Sequence, residues 1–375
     1  MSRPQRILAC LTAVVAGVAT TPGVAAATTA LPTYTYIDLG TIGVPSTGEP
    51  PMSDAYALNA AGTVVGVSTI DGIYNFHAFA WTAGAMTDLG TIHTGTYSAS
   101  SAAGVNNLDV VVGSTHVNAT DPPHAFRYAD GVLTDLGTGY GPGSGSSAND
   151  INDSGTVVGT RIERQGSPKR AVVWRDGTIL DLGTLGGQAR SWGTDSIAYA
   201  VNDAGQVVGG AITPSGALHA FLWKGGALQD LGTLGGSTES TYARDLNDVG
   251  DVVDISQNTR SEMHATLWAA GTIRDLGTLG GNYSEARAVN DARQVVGIAR
   301  TSNDGFYTER AFLWQDGRMV DLNERVRDLP PTVTLRSAED INDDGLIVGF
   351  ACPVACDAGG DRARRAYLLV PTGSS

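Results

Sequence analysis

The chain is poor in lysine, histidine and cysteine, and each shortage limits the classes of function that the protein can have. Its 375 residues include two lysines against 22 arginines, six histidines and three cysteines. The formal net charge is −14, and so acidic a chain repels the phosphates of nucleic acids and of anionic membranes. We therefore expect no nucleic-acid partner, and the charge favours cations or neutral ligands.

Familiar catalytic signatures are missing as well. The sequence contains no GxSxG, no HExxH and no GxxxxGK[ST]. Carboxylates brought together from distant parts of the chain stay open as an alternative. The segment from Asp340 to Gly345 matches the start of a calcium loop, but Ala351 stands at the twelfth position, where that loop needs a glutamate. We predict no metal or cofactor, with calcium as the less favoured alternative.

The longest apolar run lies at the N-terminus. Arg3 and Arg6 precede an apolar run over residues 7–19, and three alanines at 25–27 follow it, a pattern typical of a secretory signal peptide. The run is shorter than the about 20 residues that a transmembrane anchor needs. We expect residues 1–27 to be removed, which leaves a chain of net charge −16 without a membrane span. The predicted location is secreted, periplasmic or cell-surface.

Cleavage would leave two cysteines, Cys352 and Cys356. An even pair in an exported protein favours a disulfide, which here would fix a short local loop. A metal site is less favoured, because no histidine lies nearby and structural zinc takes four ligands.

Internal repetition is the strongest signal in the sequence. The tripeptide DLG occurs six times and is followed by one DLN, at spacings of 45–50 residues. Each copy also has a third strand that begins with histidine or arginine. The third mark, here called the marker asparagine, recurs at Asn59, Asn106, Asn152, Asn202, Asn247, Asn290 and Asn342.

Each copy has the pattern of four short strands. Within residues 242–277 the segments TYARDLN, DVVDIS, HATLW and TIRDLG are separated by short turns rich in asparagine, glycine or alanine. Strands such as HAFLW are apolar on both faces and therefore need a layer on each side. Sheets packed face to face round an axis provide this in a β-propeller. A straight solenoid would also do so, but its ends would need polar caps.

The chain ends favour the propeller. A lone strand over residues 34–39 carries DLG before the first full copy, and the last copy has only three strands. The N-terminal strand can complete the last blade as its outer strand, which leaves no open sheet edge. We predict an all-β protein, a seven-bladed β-propeller of four-stranded antiparallel blades over residues 34–370. A linker over 28–33 precedes it, and a flexible tail over 371–375 follows.

The copies HAFAW, HAFRY and HAFLW, with DLGTLGG and NDxGxVVG, resemble the HAF-repeat family of predicted extracellular proteins. The resemblance covers about residues 34–369. It implies export and repetition, and it implies no established activity. The fifth copy departs from the pattern, because Asp254 stands where the other copies have the glycine of VVG.

The basic residue of the third strand and the aspartate of DLG are expected to pair. With a two-residue turn at Lys224-Gly225, His219 would lie directly opposite Asp230, and a three-residue turn would shift this by one. We predict a structural hydrogen bond in each blade, since the arginines at equivalent positions cannot act as bases. The pairs are His77–Asp88, His124–Asp135, Arg170–Asp181, His219–Asp230, His264–Asp275 and Arg310–Asp321.

Positions that differ between copies are the candidates for ligand binding. Four residues before the marker asparagine there is always an alanine, which suits a crowded strand near the axis, whereas the next residue varies. Aromatic residues of the exit loops complete the set. The predicted ligand-binding residues are Tyr56, Tyr140, Trp192, Tyr199, Arg244, Tyr283, Arg287 and Glu339. Packing within the scaffold is the alternative for each.

These observations predict an exported, monomeric, non-catalytic protein that binds an extracellular carbohydrate or protein through the face of the exit loops. One alternative is a hydrolase or lyase that acts on an extracellular polymer with carboxylates at the channel mouth. Another is a structural surface protein. Carboxylates that converge within about 5–10 Å would favour the enzyme, and an aromatic platform without them would favour binding.

Overall fold

The computed structural model describes residues 31–372 except 45–47, 49, 72–74, 95–97, 189–192, 236–240, 305–307 and 354–362. In this part of the chain, seven antiparallel sheets are arranged as a seven-bladed β-propeller. One short 3-10 turn, Leu322–Glu324, interrupts the strands. The predicted fold is confirmed.

The first six blades each contain four consecutive strands. They are β2–β5 (Ser53–Leu58, Val64–Thr69, Phe76–Thr82, Ala85–Gly90), β6–β9 (Ser100–Val105, Val111–Thr115, His124–Ala129, Val132–Asp135), β10–β13 (Gly145–Ile151, Val157–Ile162, Arg170–Arg175, Thr178–Asp181), β14–β17 (Ser196–Val201, Val207–Ile212, Leu218–Lys224, Ala227–Asp230), β18–β21 (Thr241–Leu246, Val252–Gln257, Met263–Ala269, Thr272–Asp275) and β22–β25 (Ser284–Val289, Val295–Arg300, Glu309–Gln315, Arg318–Asp321).

The seventh blade contains both ends of the propeller. Its strand order is β27 (Val333–Ile341), β28 (Ile347–Pro353), β29 (Arg365–Thr372), β1 (Thr33–Asp38) and β26 (Val326–Arg327). β1 runs antiparallel to β29, with Tyr36 opposite Leu369. The two-residue β26 pairs in parallel with the other edge of β1. The N-terminal strand therefore closes the ring as predicted, but it is the fourth of five strands and not the outermost.

Apolar residues of facing blades form seven core clusters, one at each interface. Phenylalanines at the centre of third strands are fully buried against the preceding blade, and Phe126 and Phe312 are examples. The alanine four residues before the marker asparagine is 0% exposed in every blade. Burial on both faces of the inner strands is what their continuous apolar pattern requires.

The marker asparagines tie the blades together at one end of the channel. Each Nδ2 donates to the backbone carbonyl of the marker asparagine in the next blade at 2.9–3.1 Å, and Asn342 donates to Asn59, so the ring of seven bonds is closed. Each Oδ1 accepts the backbone N–H four residues further on. We call this end the turn face, and the end with the exit loops the loop face.

Candidate functional site

At the turn face, the channel opens into a cavity of about 230 Å³ whose rim is repetitive. The residue after the marker asparagine is an aspartate in five blades. In four of these blades its backbone N–H donates to the side chain of the corresponding residue in the next blade, as Asp153 does to Asp203 at 2.9 Å. Ala60 interrupts this second ring, because it has no side-chain oxygen. The side chains at this end mostly bond neighbouring blades to each other.

Three aspartates line the channel wall below the loop face, in blades 3, 5 and 7. The carboxylates of Asp150, Asp245 and Asp340 each accept a backbone N–H from the following blade at 2.8–2.9 Å. Burial raises the pKa of Asp150 to about 7 and that of Asp340 to about 6, and it raises the pKa of Asp245 well above its usual range. Repulsion from Asp340 adds to the shifts of the other two.

These three residues were not predicted from the sequence. The signal was available, because the position two before the marker asparagine alternates between aspartate and a small residue, with Ala57 and Gly104 in the first two blades. Because one oxygen of each carboxylate already accepts a backbone hydrogen bond from the next blade, these aspartates hold neighbouring blades together.

Charged groups converge at the loop-face mouth around Glu285. Arg244 donates to its Oε1 through Nε at 2.9 Å and Nη2 at 2.6 Å, Arg287 Nη2 lies 3.3 Å from Oε2, and the hydroxyl of Tyr283 donates to Oε2 at 2.8 Å. Arg287 Nη1 also lies 3.7 Å from Glu339. Burial alone would raise the pKa of Glu285, but Arg287, Arg244 and Tyr283 outweigh it, and the pKa is lowered.

The tyrosines of the mouth do not form an open platform. The guanidinium carbon of Arg244 lies 4.9 Å from the ring centroid of Tyr199 and 4.7 Å from that of Tyr242. Both rings therefore have one face covered by a cation. Tyr56, on the other side of the mouth, is 36% exposed.

Most of the predicted ligand-binding residues lie together. Tyr56, Tyr199, Arg244, Arg287 and Glu339 line one cavity of about 200 Å³, here called the mouth cavity. Tyr283 joins them through Glu285.

Two of the predicted ligand-binding residues and both predicted disulfide cysteines lie apart from the mouth cavity or outside the described residues. Tyr140 lies elsewhere, with its ring 4.5 Å from the guanidinium of Arg161. Trp192 and Cys356 lie outside the described residues, while Cys352 is buried.

The mouth is asymmetric. Blades 4 to 7 contribute arginine, glutamate and tyrosine, whereas blade 2 contributes Ser101 and Ala103. A second cavity of about 300 Å³, here called the side pocket, lies between blades 1 and 2 beside these small side chains. Tyr56 lines both cavities. The side pocket, Glu285 and Tyr242 were not predicted, although the position five before the marker asparagine also varies between copies.

The basic–acid pairs lie at the loop-face ends of the third and fourth strands. The shortest distances are 2.8 Å for His77–Asp88, His124–Asp135 and His219–Asp230, 2.9 Å for His264–Asp275 and 3.0 Å for Arg170–Asp181. Asp321 in the sixth blade accepts hydrogen bonds from Asn323 at 2.7 and 2.8 Å.

The predicted register of these pairs was wrong. Asp230 lies opposite Phe221 and not His219, because the turn residues are Gly225 and Gly226, both with positive φ. The histidine therefore reaches the aspartate diagonally across one face of the sheet, a distance that a long side chain can span.

Within the described ranges, no three His, Cys, Asp or Glu side chains are placed to hold a metal ion. The calcium-like segment forms the β27–β28 turn, in which Gly345 N–H donates to the carbonyl of Asn342 at 3.0 Å. The same described ranges include no helix long and apolar enough to cross a membrane.

No protein-family model and no curated protein matches the chain. Among solved structures, it is similar to the β-propeller domain of the Trilobed protease from Pyrococcus furiosus (9% identity, 87% of this chain and 97% of that chain, TM-score 0.54). It is also similar to a puromycin-hydrolyzing peptidase from Mycobacterium tuberculosis (14%, 86% and 52%, 0.52) and to a gluconolactonase from Xanthomonas campestris (13%, 90% and 90%, 0.40). At such identities the similarities to the first two structures show the fold alone.

Proposed function

We propose that this chain is an exported, non-catalytic protein that binds a carbohydrate at the loop-face mouth of its channel. The proposal depends on the difference between the two faces. In all seven copies the marker asparagine makes the same inter-blade hydrogen bond at the turn face. At the loop-face mouth, equivalent positions hold tyrosine, alanine, asparagine, arginine and glutamate.

The groups at the mouth suit hydroxyl-rich ligands. Sugar hydroxyls can accept hydrogen bonds from arginine and donate them to glutamate or asparagine. Arg244 and Arg287 are each between one fifth and one quarter exposed and stand beside Asn149 and Glu339 in the mouth cavity. A few well-placed polar groups of this kind are typical of small-molecule sites.

Two carboxylates of the mouth, Glu285 and Glu339, are poorly suited to catalysis. The three aspartates below them have raised pKa values, but each already accepts a backbone N–H of the next blade. A general acid needs a pKa near the working pH, but the pKa of Glu285 is lowered and both of its oxygens accept bonds from arginine or tyrosine. Glu339 accepts a hydrogen bond from Ser337. These carboxylates hold the arginines in place, which favours binding over the hydrolase or lyase alternative.

The test is a glycan-array screen of purified residues 28–375, followed by calorimetry on the best neutral glycan. We expect Arg287→Gln to weaken binding about tenfold or more, because its guanidinium lies in the mouth cavity. Arg318, an exposed arginine at the start of the outer strand β25, supplies the matched control, and Arg318→Gln should bind as the wild type does. An array without any bound glycan would contradict the proposal.

A further inference from the structure

We infer that the ligand is an uncharged oligosaccharide of at least two units, with one unit at the mouth cavity and the next in the side pocket between blades 1 and 2. This inference rests on the proposed function and deepens it. It gives the side pocket a role and names the ligand class.

The shape of the mouth gives the direction of the chain. Large side chains occupy the mouth positions of blades 4 to 7, whereas blade 2 has only the small side chains of Ser101 and Ala103 at these positions. Tyr56 lines both the mouth cavity and the side pocket. A ligand that is bound over the channel therefore extends past Tyr56 towards blade 2.

The volumes favour an occupant of both cavities. Ligand sites commonly measure about 300–1,000 Å³. The mouth cavity, at about 200 Å³, lies below this range, and the side pocket, at about 300 Å³, lies at its lower limit. A single-unit ligand would leave one of two adjoining cavities empty.

The two walls of the side pocket differ in chemistry. Met52, Val67 and Phe76 of blade 1 form an apolar wall, while Ser114 and His116 of blade 2 offer hydrogen-bonding groups. A pyranose ring has the same division, with a C–H face and hydroxyl groups at its edge. An apolar wall with a few polar groups is also the usual composition of a site for an uncharged ligand.

The charges of the site exclude an acidic sugar as the favoured ligand. Arg364, which is the arginine among the described residues that line the side pocket, lies 3.2 Å from Asp54, whose side chain is 2% exposed, so its charge is already neutralised. In the mouth cavity, Arg287 and Arg244 are likewise paired with Glu285. A uronate would therefore meet no unpaired arginine among the described residues that line these cavities. The net charge of −14 on the whole chain would also repel it at long range.

The repeat itself supplies a variant that blocks the side pocket. Ser101 lines this pocket, and the same repeat position holds Tyr242 in blade 5, so the scaffold accepts a tyrosine there. Ser101→Tyr should fill the entrance from the mouth. Ser147→Tyr places the same side chain at the same position of blade 3, away from both cavities, and is the matched control.

The experiment measures binding of glucose, mannose, xylose and N-acetylglucosamine with their β-linked disaccharides, and of trigalacturonate, to residues 28–375 by calorimetry. We expect a disaccharide to bind about tenfold or more tightly than its monosaccharide. Ser101→Tyr should abolish the higher affinity for the disaccharide but leave the affinity for the monosaccharide unchanged. Ser147→Tyr should leave both affinities unchanged. If Ser101→Tyr does not fold, Phe76→Ala removes the apolar wall instead and should reduce the gain.

The outcomes separate the two proposals. Binding of a monosaccharide with no gain for any disaccharide, or a gain that survives both Ser101→Tyr and Phe76→Ala, would overturn the side-pocket inference and leave the proposed function standing. Tighter binding of trigalacturonate than of every neutral sugar would overturn the inference that the ligand is uncharged. No binding of any sugar would overturn the proposed function itself.

Discussion

Asp254 lies opposite Thr266 in blade 5, at the position where blade 6 has Gly297 opposite Phe312. A Cβ atom on Gly297 would come within 2.1 Å of the carbonyl oxygen of Glu285 and 2.9 Å of Phe312 Cε1. Because Thr266 replaces the phenylalanine, the second of these contacts is absent in blade 5, where Asp254 replaces the glycine of the other blades. Asp254 is 1% exposed, and neither of its oxygens has a hydrogen-bond partner in the described part of the chain.

Blade 5 should therefore be sensitive to pH. Burial raises the pKa of Asp254 to about 7, from about 3.9 in an unfolded chain, so the folded state holds the proton more tightly. The stabilisation is fully present below about pH 4 and is lost as the pH rises through about 7. We expect Asp254→Asn to be more stable than the wild type at pH 8, by about 1–3 kcal/mol for an unpaired buried group, and to lose that advantage by pH 4.

The measurement is the difference in melting temperature between wild type and Asp254→Asn at pH 4, 6 and 8. The difference cancels the contributions of Asp150, Asp245 and Asp340, whose pKa values are also raised. Asp254→Gly combined with Thr266→Phe restores the pair found in blade 6 and should also be stabilised at pH 8. An unchanged difference across this range would show that the pKa of Asp254 is not raised in the folded protein.

The ring of marker asparagines should be a major source of stability. Asn106→Ala removes the bond to the carbonyl of Asn152 and both bonds that its Oδ1 accepts from Leu108 and Val110. Because Asn106 is 4% exposed, the loss should cost about 1–3 kcal/mol for each buried group left unpaired. Asn107→Ala removes only exposed side-chain bonds, one that its Nδ2 donates to Asp153 and one that its Oδ1 accepts from the Ala60 N–H, and should cost far less. Equal losses in chemical denaturation would contradict this role of the ring.

The histidine–aspartate pairs should contribute little stability and nothing to binding. His219 lies at the loop-face end of its strand, and Asp230 is 41% exposed, so the pair is of the surface type that contributes about 0–1 kcal/mol. We expect His219→Gln to leave the glycan affinity unchanged and to lower the melting temperature slightly. A variant with normal stability but lost binding would assign this histidine to the ligand site.

The closure of the ring can be tested by a cross-link. Thr33 and Thr372 lie opposite each other at the end of the β1–β29 pair, with their hydroxyl oxygens 2.6 Å apart. A disulfide between Thr33→Cys and Thr372→Cys should stabilise the protein by on the order of 2–4 kcal/mol, since it closes a very long loop. The melting temperature should rise under oxidising conditions and return on reduction. Each single cysteine variant is the control, and no difference on oxidation would count against a closed ring.

The sequence predicted the fold because the repeats and the offset of the chain ends left one way to bury both faces of every strand. The mouth was predicted in part, since variation between copies pointed to Tyr199, Arg244, Arg287 and Glu339. It could not show that Arg244 covers the faces of Tyr199 and Tyr242, because this depends on how neighbouring blades are placed. The predicted register at His219 was wrong for a local reason, since either Lys224-Gly225 or Gly225-Gly226 could have formed the two-residue turn.

The pairing of β1 with β29 also sets an order for folding. β1 precedes all six complete blades in the chain, and its partner follows them. During synthesis β1 is made before its partner β29 and cannot pair with it until the six complete blades have been made. A chain that is truncated before Arg365–Thr372 lacks the strand with which β1 pairs. The ring can therefore close only after Arg365–Thr372 has been synthesised, so this junction forms after the six complete blades.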